Sequence, residues 1–218
     1  MPVSESDVGV FQKRFESRRQ AERYRDRYKT GRHARMDRME RAALCELLQG
    51  IDKVEVALDL PSGTGRLSPV VAEFAKRIIL ADSAEDMLAI ARDDLPDLPA
   101  EYLQTDAQKI QLPDRSVDLV FSHRFLNHIY DPAERACILG ELARVSRRYV
   151  ALSYYAPSIR WRWRRLFKRL LGKGRTYDRV PTTRHFLVET SAAGLRPVRR
   201  TTLRRFPLTA AFFLFERA

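Results

Sequence analysis

Apolar residues along this chain fall into short runs separated by stretches of helical period. Val54 to Leu60 reads VEVALDL, apolar and β-branched, the pattern of a buried parallel strand. Ile78 to Ala81 is a second run, Glu101 to Gln104 a third, VDLVFS from Asp118 a fourth, and YVALSYY a fifth. LRPVRRTTLRRF and LTAAFFLFERA give a sixth and a seventh. Between the first five lie Ser68 to Arg77, with Val70, Val71 and Phe74 as core contacts, then SAEDMLAIAR and ERACILGELARVSR. Pro96 and Pro99 close the second of these helices, and Gly194 ends a last one over Thr182 to Ala193. Strands alternating with helices predict an α/β domain built on a parallel sheet. Ahead of them, from about Asp7 to Gln49, Phe11, Phe15, Tyr24, Tyr28, Met36, Met39, Leu44, Leu47 and Leu48 form a sparse apolar face in an arginine-rich background. That stretch predicts two or three helices with a break near Thr30 and Gly31.

The turn after the first strand organises the rest. Asp59 ends the strand, and Pro61, Ser62, Gly63, Thr64 and Gly65 lead into a helix from about Leu67. Strand, glycine turn and helix form the opening unit of nucleotide-binding α/β domains. Glycines there let the backbone bend sharply and approach a ligand closely. Asp82 ends the second run and Asp106 follows the third. In an open parallel sheet the carboxyl ends of the strands line one crevice, where ligands bind. Each residue also has a plainer reading. Asp82 could cap the next helix, Asp106 could be a turn residue, and Asp118 reads as a structural residue at a strand start.

At these positions the chain resembles the class I S-adenosylmethionine-dependent methyltransferases. The likeness lies in the order of ALDLPSGTGRL, ILADSAEDML and TDAQKIQLPDRSVDLVFSH, then a helix ending in AAGL before two strands, and it covers roughly Ala42 to the C-terminus. It implies a three-layer α-β-α sandwich on a seven-stranded, mostly parallel sheet whose last strand is antiparallel. It also implies S-adenosylmethionine as cofactor. Residues 1–50 are then an N-terminal helical extension and 51–218 the methyltransferase domain. The cofactor would meet Asp59, Pro61, Ser62, Gly63, Gly65, Asp82, Ser83, Met87, Asp106, Ala107 and Ser122. Asp82 would accept from the ribose hydroxyls, Met87 would pack on adenine, and Asp106 would accept from the adenine amino group. Pro61 stands where the family usually has its first glycine; it fixes φ and lacks an N–H, which a variant of the turn tolerates if no ligand meets that N–H. His123 and Tyr154 are the candidate bases should the acceptor need deprotonation, since imidazole titrates near neutrality. Tyr24, Tyr28 and His128 are candidate substrate-pocket residues, with anchoring of the helices as the alternative for the tyrosines and core packing for the histidine.

Charge adds a partner. Forty Lys and Arg against 28 Asp and Glu give a formal charge of +12, which favours an anionic ligand or surface. Much of it lies in 156–182, a basic insertion after the fifth strand in which Trp161, Trp163, Leu166, Phe167 and Leu170 accompany arginines and lysines. A basic amphipathic helix of this composition suits an anionic membrane surface. A lid over the pocket, an RNA-binding helix and a plain docked helix are the other readings. Two isolated cysteines, Cys45 and Cys137, form neither a disulfide framework nor a zinc site, and the histidines are not at metal-ligand spacing. MPVSESDVGV lacks the apolar core of a signal peptide, so a cytoplasmic protein, peripheral to the inner membrane face where the basic helix binds it, is expected. The expected function is methyl transfer to a small-molecule or lipid-like acceptor. An RNA or protein acceptor, or a non-catalytic binding module, is the alternative.

Overall fold

The structure, a computed structural model, describes residues 6–12, 17–157, 182–204 and 208–218. The basic stretch holding Trp161, Trp163, Leu166, Phe167 and Leu170 lies outside the described residues, as does Phe15. Three helices open the chain: α1 (Asp7–Gln12), α2 (Arg18–Asp26) and α3 (Gly31–Leu48). The break expected at Thr30 and Gly31 is there, with Thr30 as the cap of α3 and Gly31 in a left-handed conformation. Then follow β1 (Val54–Asp59), α4 (Ser68–Ala72), β2 (Ala75–Asp82), α5 (Glu85–Asp94), β3 (Ala100–Gln104), β4 (Val117–Ser122), α6 (Pro132–Val145), β5 (Ser146–Pro157), α7 (Thr183–Ala192), β6 (Leu195–Arg204) and β7 (Leu208–Arg217).

The seven strands form one sheet in the order β3-β2-β1-β4-β5-β7-β6. The first five pair in parallel, while β7 runs antiparallel between β5 and β6. This is the α/β architecture expected. The order reverses beside β1, which turns the crossovers toward opposite faces and opens a crevice above the tips of β1 and β4.

Strand residues alternate between two apolar layers, as a period of two requires. On β4, Leu119 and Phe121 join α3 and α4 on one face, while Val120 joins α6 and α7 on the other. On β7, Phe212 and Leu214 face α3, and Phe213 and Phe215 face Phe186 of α7. Leu44, Leu47 and Leu48 of α3 are fully buried in the first layer, so the N-terminal helices share the core of the sheet. Asp118 is the structural residue its position suggested. Its Oδ2 accepts from the backbone N–H groups of Glu55 and Val56 at 3.1 and 2.9 Å, tying β4 to the start of β1.

One expected element differs. Ser68 to Arg77 reads as a single helix, yet α4 ends at Ala72 and Ala75 already pairs with Val54. Pairing of Ala75 and Arg77 with β1 claims three residues that carry a helix-compatible pattern, and tertiary pairing overrides local preference.

Candidate functional site

A cavity of about 670 Å³ lies over the carboxyl ends of β1, β2 and β4. Its floor is the loop from Asp59 to Gly63, the segment Asp82–Ala84, and Thr105 with Ala107. Phe121, His123, Arg124, Phe125 and His128 form one wall. Gln20, Arg23, Tyr24, Arg27 and Tyr28 line the opposite side. Their three-and-four spacing puts them on one face of α2 and its final turn.

Asp82 and the glycine turn are joined directly. The Gly63 N–H donates to Asp82 Oδ2 at 2.9 Å and the Ala84 N–H to Oδ1 at 3.0 Å. Asp82 is buried, which pushes its carboxyl above the ordinary range, while the Ala84, Gly63 and Ser83 amides pull it back. The side chain therefore bonds to the backbone leading into α5, whose cap position is Ala84 and not Asp82, and holds the turn. Each oxygen keeps capacity for another donor from the cavity. Gly63 sits at φ +56°, where a side chain is strained. Pro61 follows a cis peptide bond and lines the cavity without an N–H. The Ser62 N–H donates to the Ala81 carbonyl at 2.8 Å, and its Oγ is buried without a partner. Asp59 Oδ2 accepts from Ser68 Oγ at 2.6 Å. Burial pushes the Asp59 carboxyl up to about 7, with Asp82 adding to the rise and Ser68 and Arg66 opposing it.

Ser83, Met87 and Ala107 also line the cavity. Met87 packs with Ala21 of α2 and Ile90 of α5, and Tyr24 rests against that group. Three residues expected at the cofactor, Gly65, Asp106 and Ser122, do not line the cavity. Gly65 lies under the turn, where an added Cβ would sit 2.6 Å from Leu95 Cδ1 and 3.1 Å from Leu80 Cδ2; its smallness serves packing. Asp106 Oδ1 accepts from the Gln108 N–H at 2.7 Å in a turn, while its neighbours Thr105 and Ala107 reach the cavity. Ser122 is buried at the end of β4 and does not line the cavity.

Tyr154 is also displaced from its expected place. It is buried in the layer under α7, stacked on Phe186 with ring centres 4.1 Å apart. Burial raises its phenol above the usual range. Alternation along β5 explains this: Tyr155, the next residue, points to the opposite face, toward α3. Tyr155 donates to Glu40 Oε1 at 2.9 Å and accepts from Arg124 Nε at 2.8 Å.

Those contacts belong to a charged network that sequence reading missed. Glu40 of α3, 1% exposed, accepts from Arg66 Nη2 at 2.8 Å and from Arg124 Nη2 at 2.5 Å. Arg66 also donates to Asp37, and its guanidinium lies 4.3 Å from the centre of the Tyr28 ring. Arg124 donates to the Tyr28 hydroxyl as well. Burial alone would raise the Glu40 carboxyl, but His123, Arg124 and Arg66 outweigh it and hold the group well below the usual carboxylate range. Arg124 has φ +54°, rare for a residue with a side chain, and Ser153 Oγ accepts its backbone N–H at 2.7 Å. The signal in the sequence is slight. Arg66 directly follows the glycine turn and Arg124 follows His123, but Glu40 is one acid in an arginine-rich helix.

His123 stands in the cavity wall against the rings of Phe121 and Phe212. Arg66 Nη2 lies 3.1 Å from its Nε2, with Glu40 Oε2 farther off at 3.5 Å. Nε2 meets the Arg66 donor or the Glu40 acceptor according to the tautomer, and Nδ1 is buried with no hydrogen-bond partner. Burial pushes this imidazole down to about 4, against the pull of Glu40. This low basicity weighs against the free-base role expected of His123. Tyr24, Tyr28 and His128 all border the cavity. Burial raises the Tyr24 phenol above its usual range and keeps it protonated.

Residues 58–152 match the family model described as a methyltransferase domain. That segment runs from the end of β1 to the middle of β5 and holds every loop on the cavity floor. The matched segment lies on a Rossmann-like α/β sheet, the fold of class I S-adenosylmethionine-dependent methyltransferases. Among solved structures, the chain is similar to magnesium protoporphyrin IX methyltransferase from Synechocystis with bound S-adenosylhomocysteine, with a TM-score of 0.74 over 98% of this chain and 100% of that one. At 17% identity this likeness establishes the fold. Among curated proteins, it is 37% identical over 92 residues to malonyl-[acyl-carrier protein] O-methyltransferase from Yersinia pestis, covering 42% of this chain and 33% of that protein. It is 28% identical over 120 residues to the ubiquinone/menaquinone biosynthesis C-methyltransferase from Teredinibacter turnerae, covering 50% and 47%. The chain thus spans less than half the length of these relatives.

Proposed function

We propose that this chain binds S-adenosylmethionine in the cavity above β1 and β2 and transfers its methyl group to a small-molecule or lipid-like acceptor. The observation that carries this reading is the bond from Gly63 N–H to Asp82 Oδ2 on the floor of a cavity sized for a cofactor. The donor set fits. Asp82 can take both ribose hydroxyls, and the unpartnered hydroxyl of Ser62 lies in the same turn. Met87 offers an apolar face for the adenine ring, and the backbone at Thr105 and Ala107 offers its edge a partner. Bound there, the cofactor supplies a methyl on positively charged sulfur; an acceptor lone pair forms the new bond to carbon as the carbon–sulfur pair passes to sulfur, leaving S-adenosylhomocysteine.

The residues of the chain orient the reactants and exclude water, the main requirements of such an in-line transfer. Tyr24 and Tyr28 cover the cavity from the α2 side. His123, Glu40 and the two guanidiniums hold the far wall rigid. With His123 engaged by Arg66 and Glu40 by two arginines, an acceptor atom that is already nucleophilic suits this site best.

Relatives named for ubiquinone/menaquinone biosynthesis and for malonyl-[acyl-carrier protein] support a lipid-like or acyl acceptor over RNA. Action at a membrane surface rests on the composition of residues 156–182 alone. The test is incubation of a cell extract with methyl-labelled S-adenosylmethionine. Label should appear in the small-molecule or lipid fraction. Label confined to RNA or protein would replace the acceptor class, and a protein that binds no cofactor would be a binding module.

A further inference from the structure

The cations around the cavity divide into two sets. Arg66 and Arg124 are partly buried, and their nitrogens are engaged by Asp37, Glu40, Tyr155 and Tyr28. Along α2, Arg18 pairs with Glu22 and Asp93, Arg25 with Asp26 and Asp94, and Lys29 with Asp26. Arg23 and Arg27 are different. They are exposed, stand four residues apart and border the cavity, and neither has an acidic partner among the described residues. The acids that line the cavity, Asp59 and Asp82, sit on its floor and are bonded to Ser68, Gly63 and Ala84. The cavity is thus polarised, with carboxylates at the strand tips and two uncompensated guanidiniums at the α2 rim.

We propose that the methyl acceptor is an anion, and that Arg23 and Arg27 hold its charged group at the α2 rim while its reacting atom reaches inward. This inference rests on the methyltransferase reading above. A pair of guanidiniums at one helical face matches a carboxylate or phosphate, which each can meet with two parallel N–H groups. Such a pair also raises the local concentration of an anionic acceptor at the entrance. The donor's own carboxylate shares this chemistry, so the test separates the two sources.

Metabolites extracted from cells are passed over an anion exchanger at neutral pH, and each pool is offered to the protein with methyl-labelled S-adenosylmethionine. Acceptor activity should lie in the retained pool. R23Q/R27Q should raise the apparent KM for that pool at least tenfold with kcat little changed, and R23K/R27K should restore most of the loss. Calorimetric affinities for S-adenosylhomocysteine, and the unfolding midpoint, should match the parent in both variants. Acceptor activity in the flow-through, activity in neither pool, or an unchanged KM would overturn the proposal. So would a loss of S-adenosylhomocysteine affinity in R23Q/R27Q that is absent with its decarboxylated analogue, since the rim would then hold the donor. A parent protein that fails to bind S-adenosylhomocysteine would instead remove the methyltransferase reading itself.

Discussion

Gly63 and Gly65 lie two residues apart in one turn and do different work. Both have positive φ, at +56° and +70°. A Cβ on Gly63 would meet only the Tyr24 ring at 4.0 Å, on the cavity side, whereas one on Gly65 would collide with Leu95 beneath the turn. Gly63→Val should therefore weaken S-adenosylhomocysteine binding at least tenfold at a cost of roughly 1–3 kcal/mol from φ strain. Gly65→Val should lower the unfolding midpoint further, with calorimetry and thermal melts of both variants as the check. Asp59 sets a pH dependence. Its folded pKa of about 7 lies above the ordinary value near 4, so the folded protein holds this proton more tightly than the unfolded chain does. Its contribution to stability is fullest below pH 4 and is lost as pH rises through about 7. Asp59→Asn should remove that fall, seen in denaturant titrations across pH 4 to 8. Glu40→Ala should destabilise by roughly 1.5–3 kcal/mol, because it leaves two partly buried guanidiniums without their shared carboxylate.

What could be read from sequence at this scale followed from locality. Asp59, Gly63 and Asp82 sit at strand ends within one unit, where spacing implies place. The Glu40–Arg66–Arg124 cluster joins residues up to 84 apart, and no periodicity marks such a contact. Tyr154 and Tyr155 show the same limit: one residue of register decides which ring meets Glu40 and Arg124, and composition does not fix register.

At the scale of elements, α2 differs from α3. Leu44, Leu47 and Leu48 lock α3 into the core, while α2 buries Ala21 against Met87 and Ile90 and adds surface ion pairs to Asp93 and Asp94. Exposed pairs of this kind contribute ~0–1 kcal/mol each. Backbone amides of α2 should therefore exchange hydrogen faster than those of α3, and saturating S-adenosylhomocysteine should slow α2 while leaving α3 unchanged. Equal protection in the free protein would contradict this view. The helices and all seven strands were legible as alternating periods. The short α4 was not, because residues 73–77 suit a helix or a strand and only pairing with β1 decides.

The whole molecule combines a familiar sheet with an unusual charge. Its +12 excess, with Arg23 and Arg27 at the cavity rim, predicts that turnover on an anionic acceptor falls as salt rises. Residues 156–182 belong to the same question. If they bind anionic vesicles, Trp163→Glu with Leu166→Glu should reduce co-sedimentation, and equal pelleting of mutant and parent would count against a membrane role. Among the described residues, no helix is long and apolar enough to cross a membrane.

Isothermal titration of the protein with S-adenosylhomocysteine, beside Asp82→Ala, tests the account most directly. Saturable one-to-one binding that weakens at least a hundredfold in the variant is the predicted result. No heat in the parent, or equal affinity in parent and Asp82→Ala, would contradict it.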